Sequence, residues 1–565
     1  MKRTSLAVLI IALAILAMAA PMAYAQAPAP KVTISGLIDN LTTYSSNASQ
    51  PDGVLNVKDK MWYARTRGRF DFIGEVGKAK GVLGIELDHV YGQAGSNDST
   101  IVNAGAASGT AVATQFGTDG SFDLNTDSRG IIEIKWLYVE FPMPLIPVPT
   151  TVRLGAQPFG AASSYKLCVY TCSDFPGVNI TSQITPNVKL LGTYVQVEER
   201  LVGTQNVNNG VSGPFGIANT QERGDDYSWI LSAEITPFKG LDLKPMISQF
   251  YAQGTTSPNS RQGRGGIDTS TAFVSCGGPA ANGTVAAASC GNTRGDINEY
   301  RWTVGLDTRF RSGPFSFDPT VMYQFGSRNL MAQTTNAAVA AGFANAGVVG
   351  GRRYHSDISA WLVDMRGGFQ LGPLLLEALG VYSTGNSARN TTLGTVRYFQ
   401  ALTTDTGYLS DWGTQLSSLG IDYLNALNEV GARVAYPGVS VGWDKYGRGQ
   451  LGLKATYAVT PALSVMAGAN GHWTPEAVDK HSQAIAGAGL LPTFVGPQAK
   501  SNFVGTELMS VITWRFADGL VWDNGFGYMF AGPALNAITA NQDQAQHPRT
   551  ANDSYILTSR IRFTF

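Results

Sequence analysis

Arg65, Arg67 and Arg69 stand two residues apart, and Glu86 and Asp88 repeat that spacing with the opposite sign. On a β-strand, positions two apart share a face. Three guanidiniums on one strand opposite two carboxylates on the next set a local field, and sorting charged solutes is the chemistry such a field does. The sequence offers little for bond-making chemistry. Of the five histidines, His355 is followed by Ser356-Asp357, but neighbouring strand residues point to opposite faces and assemble no triad. There is no G-x-S-x-G and no H-E-x-x-H. No catalytic residue is assigned, the chain is not expected to be an enzyme, and an outer-membrane hydrolase is kept as a remote alternative. The four cysteines, Cys168, Cys172, Cys276 and Cys290, allow three pairings. Local pairs, 168 with 172 and 276 with 290, are favoured because each falls within one loop. No histidine flanks either pair, so no metal or cofactor is expected.

The elements that carry these charges alternate with period two. In 61–73, Trp62, Ala64, Thr66, Gly68, Phe70 and Phe72 share one face, and Tyr63, Asp71 and the three arginines share the other. In the next strand Leu83, Ile85, Leu87 and Tyr91 oppose Glu86 and Asp88. If the two form a hairpin about 75–81, arginines lie opposite acids, which also fixes register. A charge on the lipid side of a membrane strand costs roughly 2–4 kcal/mol at mid-depth, so this ladder must face water. In 129–141 the alternation puts Ile132, Ile134, Trp136 and Tyr138 outward and Glu133 and Lys135 inward. Arg153 and Gln157 follow inward in 150–159. The last strand has Tyr555, Leu557, Ser559, Ile561, Phe563 and Phe565 on one face and Ile556, Thr558, Arg560, Arg562 and Thr564 on the other.

Composition agrees with strands between oil and water. Charged residues are 15%, below the soluble average of about 25%, yet mean hydropathy is −0.02, too polar for a helical membrane protein. Net charge is zero, which argues against nucleic acid as a partner. Residues 1–25 form a cleaved secretory signal: Lys2 and Arg3, an apolar run from Leu6 to Ala20, then Ala23-Tyr24-Ala25. That run is shorter than the ~20 residues that span a bilayer, and no other stretch reaches that length. A mature chain 26–565 that enters a membrane must therefore do so as one closed barrel.

Turns give the strand count. Thr185-Pro186, Thr236-Pro237, Thr460-Pro461, Gly313-Pro314, Gly372-Pro373 and Asp518-Gly519 each separate two alternating runs, because proline and glycine stop a ladder. These short turns alternate with long segments at 92–128, 161–175, 203–223, 254–295, 328–352, 384–446, 475–500 and 532–552, the pattern of periplasmic turns and extracellular loops. With both termini on one side the count must be even. A weak strand at 176–183 and another at 188–201 bring it to 18; omitting that pair leaves 16, and a hairpin at 429–436 makes 20. The fold expected is an all-β, transmembrane, antiparallel up-and-down β-barrel. Outward faces are rich in aromatics, as interfacial girdles are.

A barrel of that size leaves an aqueous channel. The expected pore lining is Arg65, Arg67, Arg69, Glu86, Asp88, Glu133, Lys135, Arg153, Arg301, Asp307, Arg309, Asp364, Arg366, Glu377, Glu507, Arg515, Arg560 and Arg562. Basic residues slightly outnumber acids there, so a weak anion preference is expected. Segment 161–175, with Tyr165-Lys166, and segment 92–128 are candidates to fold inward and narrow the pore; 384–446 is long enough to plug it. A secreted β-sandwich is the remaining alternative.

The opening Val-Thr-Ile-Ser-Gly-Leu-Ile-Asp at 32–39, and a final strand ending on Phe565 with Tyr555 ten positions back, resemble the ends of Gram-negative outer-membrane porins. The stretches 504–508, 512–520 and 525–533 resemble the closing hairpin of alginate-export-type barrels, which have 18 strands. The resemblance implies an outer-membrane porin passing small hydrophilic solutes or ions by passive diffusion. It implies lipid and lipopolysaccharide as surroundings, though no clear motif here marks a lipopolysaccharide or calcium site. Tyr555, Ile561, Phe563 and Phe565 become a signal to the barrel-assembly machinery. Porins of this kind are often trimers, so a homotrimer is implied. A barrel for export or uptake of an anionic polysaccharide or oligosaccharide is the alternative, disfavoured by the mixed charge of the lumen.

Overall fold

The computed structural model describes residues 29–47, 60–91, 120–121, 132–158, 165–166, 169–171, 174–198, 223–254, 298–331, 353–386, 395–402, 412, 446–478, 501–534 and 552–565. The signal segment, all four cysteines and the stretch 429–436 lie outside them. The strands are β1 (Lys31–Ser46), β2 (Lys60–Val76), β3 (Ala79–Tyr91), β4 (Gly120–Ser121), β5 (Ile132–Pro142), β6 (Thr150–Pro158), β7 (Asp174–Thr185), β8 (Val188–Glu198), β9 (Arg223–Phe238) and β10 (Leu241–Gly254). They continue with β11 (Asn298–Ser312), β12 (Phe315–Met331), β13 (Arg353–Leu371), β14 (Leu374–Ser383), β15 (Arg448–Ala458), β16 (Leu463–Val478), β17 (Ser501–Ala517), β18 (Leu520–Ala531) and β19 (Ser554–Thr564). Of these nineteen, β4 has two residues and pairs in parallel with His89 and Val90 of β3. The other eighteen form one closed antiparallel ring. It closes where β1 meets β19, from Leu37 opposite Thr564 to Ser46 opposite Tyr555. A single closed sheet excludes the two-sheet sandwich, and closure leaves no unpaired edge. Among the described residues no helix is long and apolar enough to cross a membrane.

The short turns lie at one end of the ring, with Lys31 opposite Glu75 and Phe565 paired with Gly36 at the same end. Gly313 and Gly372 sit at φ 55° and 56°, the left-handed conformation that tight hairpins require. The weak strand expected at 176–183 is β7, joined to β8 by Pro186-Asn187.

Most outward side chains in the middle of the strands are apolar. Ile34, Trp62, Ile180, Leu231, Phe317, Leu453 and Ile512 are all exposed, and surround a ring with no apolar layer outside it. Aromatic rings crowd towards the two ends of this band. Tyr44 meets Tyr555 at 6.1 Å and Tyr323 meets Trp361 at 4.4 Å towards the long-connection end. Phe70 meets Phe565 at 6.0 Å and Phe315 meets Phe369 at 4.8 Å near the short turns.

Among the register shifts, the one in β5 changes which residues face inward. Gly84 pairs with Trp136 but Ile85 pairs with Ile134, so Lys135 is an extra residue, a β-bulge. Ile132 and Ile134 face outward, then the phase flips. Trp136 and Tyr138 turn inward, against the sequence expectation, and Leu137 and Val139 are exposed on the outside.

Candidate functional site

The interior wall is built from the inward set of every strand. On β2, Arg67 Nε donates to Asp88 Oδ1 at 2.6 Å and Arg67 Nη2 to Asp88 Oδ2 at 2.5 Å, while Arg69 donates to Glu86. Direct cross-strand register places these groups opposite one another. Arg65 Nη2 lies 3.8 Å from Asp39 Oδ2, and the same carboxylate takes Arg560 across the closing seam, Nε to Oδ1 at 2.6 Å. Arg562 reaches Asp523 at 3.3 Å. Beyond the bulge, Lys135 Nζ at 2.9 Å and Trp136 Nε1 at 2.7 Å both meet Asp174, which shows that these consecutive residues share the inner side. Glu140 is held by Lys80 at 2.8 Å and Arg153 at 2.7 Å. Forked Arg–carboxylate pairs are the stronger, directional kind of ion pair. In a partly wet lumen each contributes modestly, and their main effect is to fix the heads in place.

On the opposite wall the pairing continues. Arg366 Nε lies 3.1 Å from Asp364, Lys454 Nζ 3.3 Å from Glu377, and Arg309 Nη2 3.4 Å from Asp242; Arg311 bonds Asp318. Glu133 faces the interior opposite Glu86, and Arg515 lies at the short-turn rim opposite Val521. Arg301, Asp307, Asp364 and Glu507 are also on inward faces but are almost wholly buried. Glu507 is 3.2 Å from the equally buried His472. His355 and Asp357 meet at 3.3 Å on the exposed side, while Ser356 is buried on the other.

What covers that wall is chain folded into the ring. Residues 165–166 and 169–171 lie against β10–β12. Lys166 Nζ lies 3.2 Å from Asp307 Oδ1 and donates to Thr320, and the Tyr165 amide donates to Asp307. The Tyr165 ring has the Arg309 guanidinium 4.5 Å and the Lys244 ammonium 5.3 Å from its centroid. Burial, reinforced by Asp242 and Glu234 and opposed by Arg309, pushes the Tyr165 phenol up to about 12, so it stays neutral. Tyr170 Oη donates to Ser248 at 2.9 Å.

A second segment, 395–402 with Trp412, docks beside the first. The Leu402 amide donates to the Tyr170 carbonyl at 2.8 Å, tying the two together. Gln324 Nε2 donates to the Gln400 carbonyl at 2.6 Å, the Gln400 amide donates back at 2.9 Å, and Arg301 donates to the Gln400 side chain. Asn470 Nδ2 donates to the Trp412 carbonyl at 3.1 Å, and the Lys454 ammonium sits 4.4 Å over the Trp412 ring.

Between these segments and the wall lies an apolar core inside the barrel. Tyr170, Phe399, Leu402 and Trp412 pack on inward Val195, Ile230, Met246, Phe250, Met322, Leu362 and Leu379. Sequence reasoning missed this patch. Its one local signal is β14, Leu374-Leu-Leu-Glu-Ala-Leu-Gly-Val-Tyr-Ser, apolar on both faces, as strands covered on both sides are. Below the segments a cavity of about 460 Å³ opens among Tyr165, Lys166, Arg311, Asp318, Arg366 and Trp412. Of the inward-folding candidates, 161–175 and 384–446 contribute these described pieces; 92–128 lies outside the described residues apart from β4.

No family model matches the chain, and no curated protein resembles it. Among solved structures it is similar to OccAB3 of Acinetobacter baumannii, with 10% identity over 94% of this chain and 99% of that one, TM-score 0.42. It is also similar to a BenF-like porin from Pseudomonas fluorescens Pf-5, with 10% identity over 95% and 99%, TM-score 0.44. OccK8 (OprE) of Pseudomonas aeruginosa is a third, with 10% identity over 95% and 98%, TM-score 0.45.

Proposed function

We propose that this chain is an outer-membrane channel of a Gram-negative bacterium, through which small hydrophilic solutes or ions diffuse passively. The observation that carries the reading is the closed ring of eighteen strands, apolar and girdled by aromatics outside, charged and ion-paired within. An apolar outer wall needs hydrocarbon around it, and a ring this wide encloses more space than its own side chains fill. The two inward segments narrow that space on the β7–β15 side, so passage runs beside the charged wall of β1–β3 and β18–β19. The chain acts as a conduit and filter, not as an enzyme. Arginines paired with acids support a filter with a small preference for anions, and the same mixed charge speaks against an anionic polysaccharide as cargo.

Swelling of liposomes in isotonic sugars tests the reading. Vesicles carrying the folded chain are expected to swell with small sugars and progressively less with larger ones. Vesicles that do not swell with the smallest sugars, and show no conductance in planar bilayers, would overturn it.

A further inference from the structure

The cavity of about 460 Å³ at the short-turn end of the lumen stands apart from the charged wall of β1–β3 and is large enough for a small solute. Its floor is the inward face of β11–β14, where Ser316, Gly368 and Glu377 lie in one register row. Gly368 keeps that row low, since a Cβ there would collide with Ser316 Oγ. Tyr165, Lys166 and Trp412 of the inward segments form its roof. Five charged side chains line it: Lys166, Arg311, Asp318, Arg366 and Glu377. Each is matched by its opposite. Arg311 and Asp318 meet as a fork, with Arg311 Nη2 donating to Asp318 Oδ2 at 2.8 Å and Nη1 donating to the other oxygen. Arg366 Nε donates to Asp364 Oδ1 at 3.1 Å, Glu377 holds Lys454 at 3.3 Å, and Lys166 is 3.2 Å from Asp307. The cavity therefore presents no net charge.

We infer that this cavity holds one neutral saccharide ring on its way through the lumen, an inference that rests on the reading of the chain as a conduit. A carboxylate solute would compete for guanidiniums that acids already hold, and an ammonium for carboxylates that cations already hold. In either case the like-charged partner repels it. An uncharged polyol meets no such barrier. A guanidinium carries five N–H donors and a carboxylate about four lone-pair sites, so a forked pair leaves donors and acceptors over on both partners. A hydroxyl is donor and acceptor at once, and Ser316 and Gln370 add uncharged groups of the same kind. Tyr165 and Leu375 offer apolar surface against which the C–H face of a pyranose packs.

Saturation-transfer NMR of the full folded chain in detergent checks this, with glucose, glucuronate and glucosamine as probes. The three share one ring and differ in charge. Glucose should take up saturation from the protein, with an affinity about tenfold above that of either charged sugar. Ser316→Trp fills the cavity without removing an ion pair and should abolish the glucose signal; Leu375→Trp fills it from β14 and should do the same. Asp318→Asn strips Arg311 of its acid and should bring glucuronate above glucose. Heat-modifiable gel migration identifies the folded variants. A parent that holds glucuronate or glucosamine as tightly as glucose, or a glucose signal that survives in the folded, filled variants, would overturn the inference. Planar-bilayer conductance of the same preparation separates the site from the channel. Conductance without glucose binding removes the site and leaves the channel. Glucose binding without conductance removes the channel, and with it the site's place on a passage.

Discussion

Lys166 Nζ lies 3.2 Å from Asp307 Oδ1, and both groups are buried inside the barrel. Asp307 also accepts from the Tyr165 amide and from Thr320 Oγ1. One carboxylate on β11 thus anchors the first inward segment at Tyr165-Lys166. Removing one partner of a buried pair leaves the other uncompensated and costs about 3–5 kcal/mol. Asp307→Asn should release the segment and widen the conduit. Single-channel conductance is expected to rise, and liposomes should admit larger sugars, with heat-modifiability unchanged because the wall itself is intact.

The phenol of Tyr165 gives the same segment a pH limit. Its folded value of about 12 stands above the ordinary 10, so the stability it contributes is fully present below pH 10 and is lost as pH rises towards 12. Conductance should be flat from pH 7 to 10 and climb above it. In Tyr165→Phe the climb should shrink, leaving only what nearby Lys244 contributes. Bilayer recordings across that range check it; identical profiles would refute it.

Ion selectivity depends on how tightly the ladder is compensated. Arg67 serves two acids, Asp88 at 2.5 Å and Glu86 at 3.2 Å. Arg67→Ala therefore uncovers negative charge rather than merely removing positive charge. The reversal potential in a KCl gradient, slightly anion-favouring in the parent, is expected to shift to the cation side, most clearly at low salt where the Debye length is long. Clear cation selectivity in the parent would contradict the anion preference.

Closure depends on the final residue. The Gly36 amide donates to the Phe565 carbonyl at 3.0 Å, the Phe565 amide donates back to Gly36 at 3.1 Å, and the two rings Phe70 and Phe565 lie 6.0 Å apart. Deleting Phe565 should lower the folded, heat-modifiable fraction while the barrels that do form keep parental conductance.

The parts of this fold that were legible are those where one residue suffices to set the phase. Tyr555 to Phe563 alternate without interruption, so the last strand and its two faces followed from period two alone. β7, with Pro176 and Gly177 near its start, followed only because Thr185-Pro186 marked a turn and the strand number had to be even. The interior apolar core was not legible because its partners are far apart in the chain: Tyr170 and Leu402, tied amide to carbonyl, cover inward Val195, Ile230 and Met246, which come from three separate strands. The β5 bulge was not legible because one slipped residue leaves composition unchanged. Its cause lies on β3. Gly84 has no side chain, and a Cβ there would stand 2.8 Å from the Trp136 ring.

That cause makes the bulge testable. The Trp136 ring fills the space over Gly84, and its indole N–H donates to Asp174 beside the Lys135 ammonium. A side chain at 84 must displace the ring, and the strand's easiest escape is to restore simple alternation, which would send Trp136 outward and Leu137 inward. Gly84→Val should therefore cost stability at the level of an overpacked site, about 1–3 kcal/mol. Trp136→Phe keeps the ring's volume but loses the hydrogen bond to a carboxylate, worth about 1.5–3 kcal/mol at most and less where water reaches Asp174. Gel-shift midpoints in urea should fall for both, more for Gly84→Val. Trp136 emission separates the two possible phases. It should be quenched by aqueous iodide added to the lumen side in the parent, and by a brominated lipid if the ring has turned outward in Gly84→Val. Quenching of the parent by the lipid instead would mean that β5 alternates without a bulge.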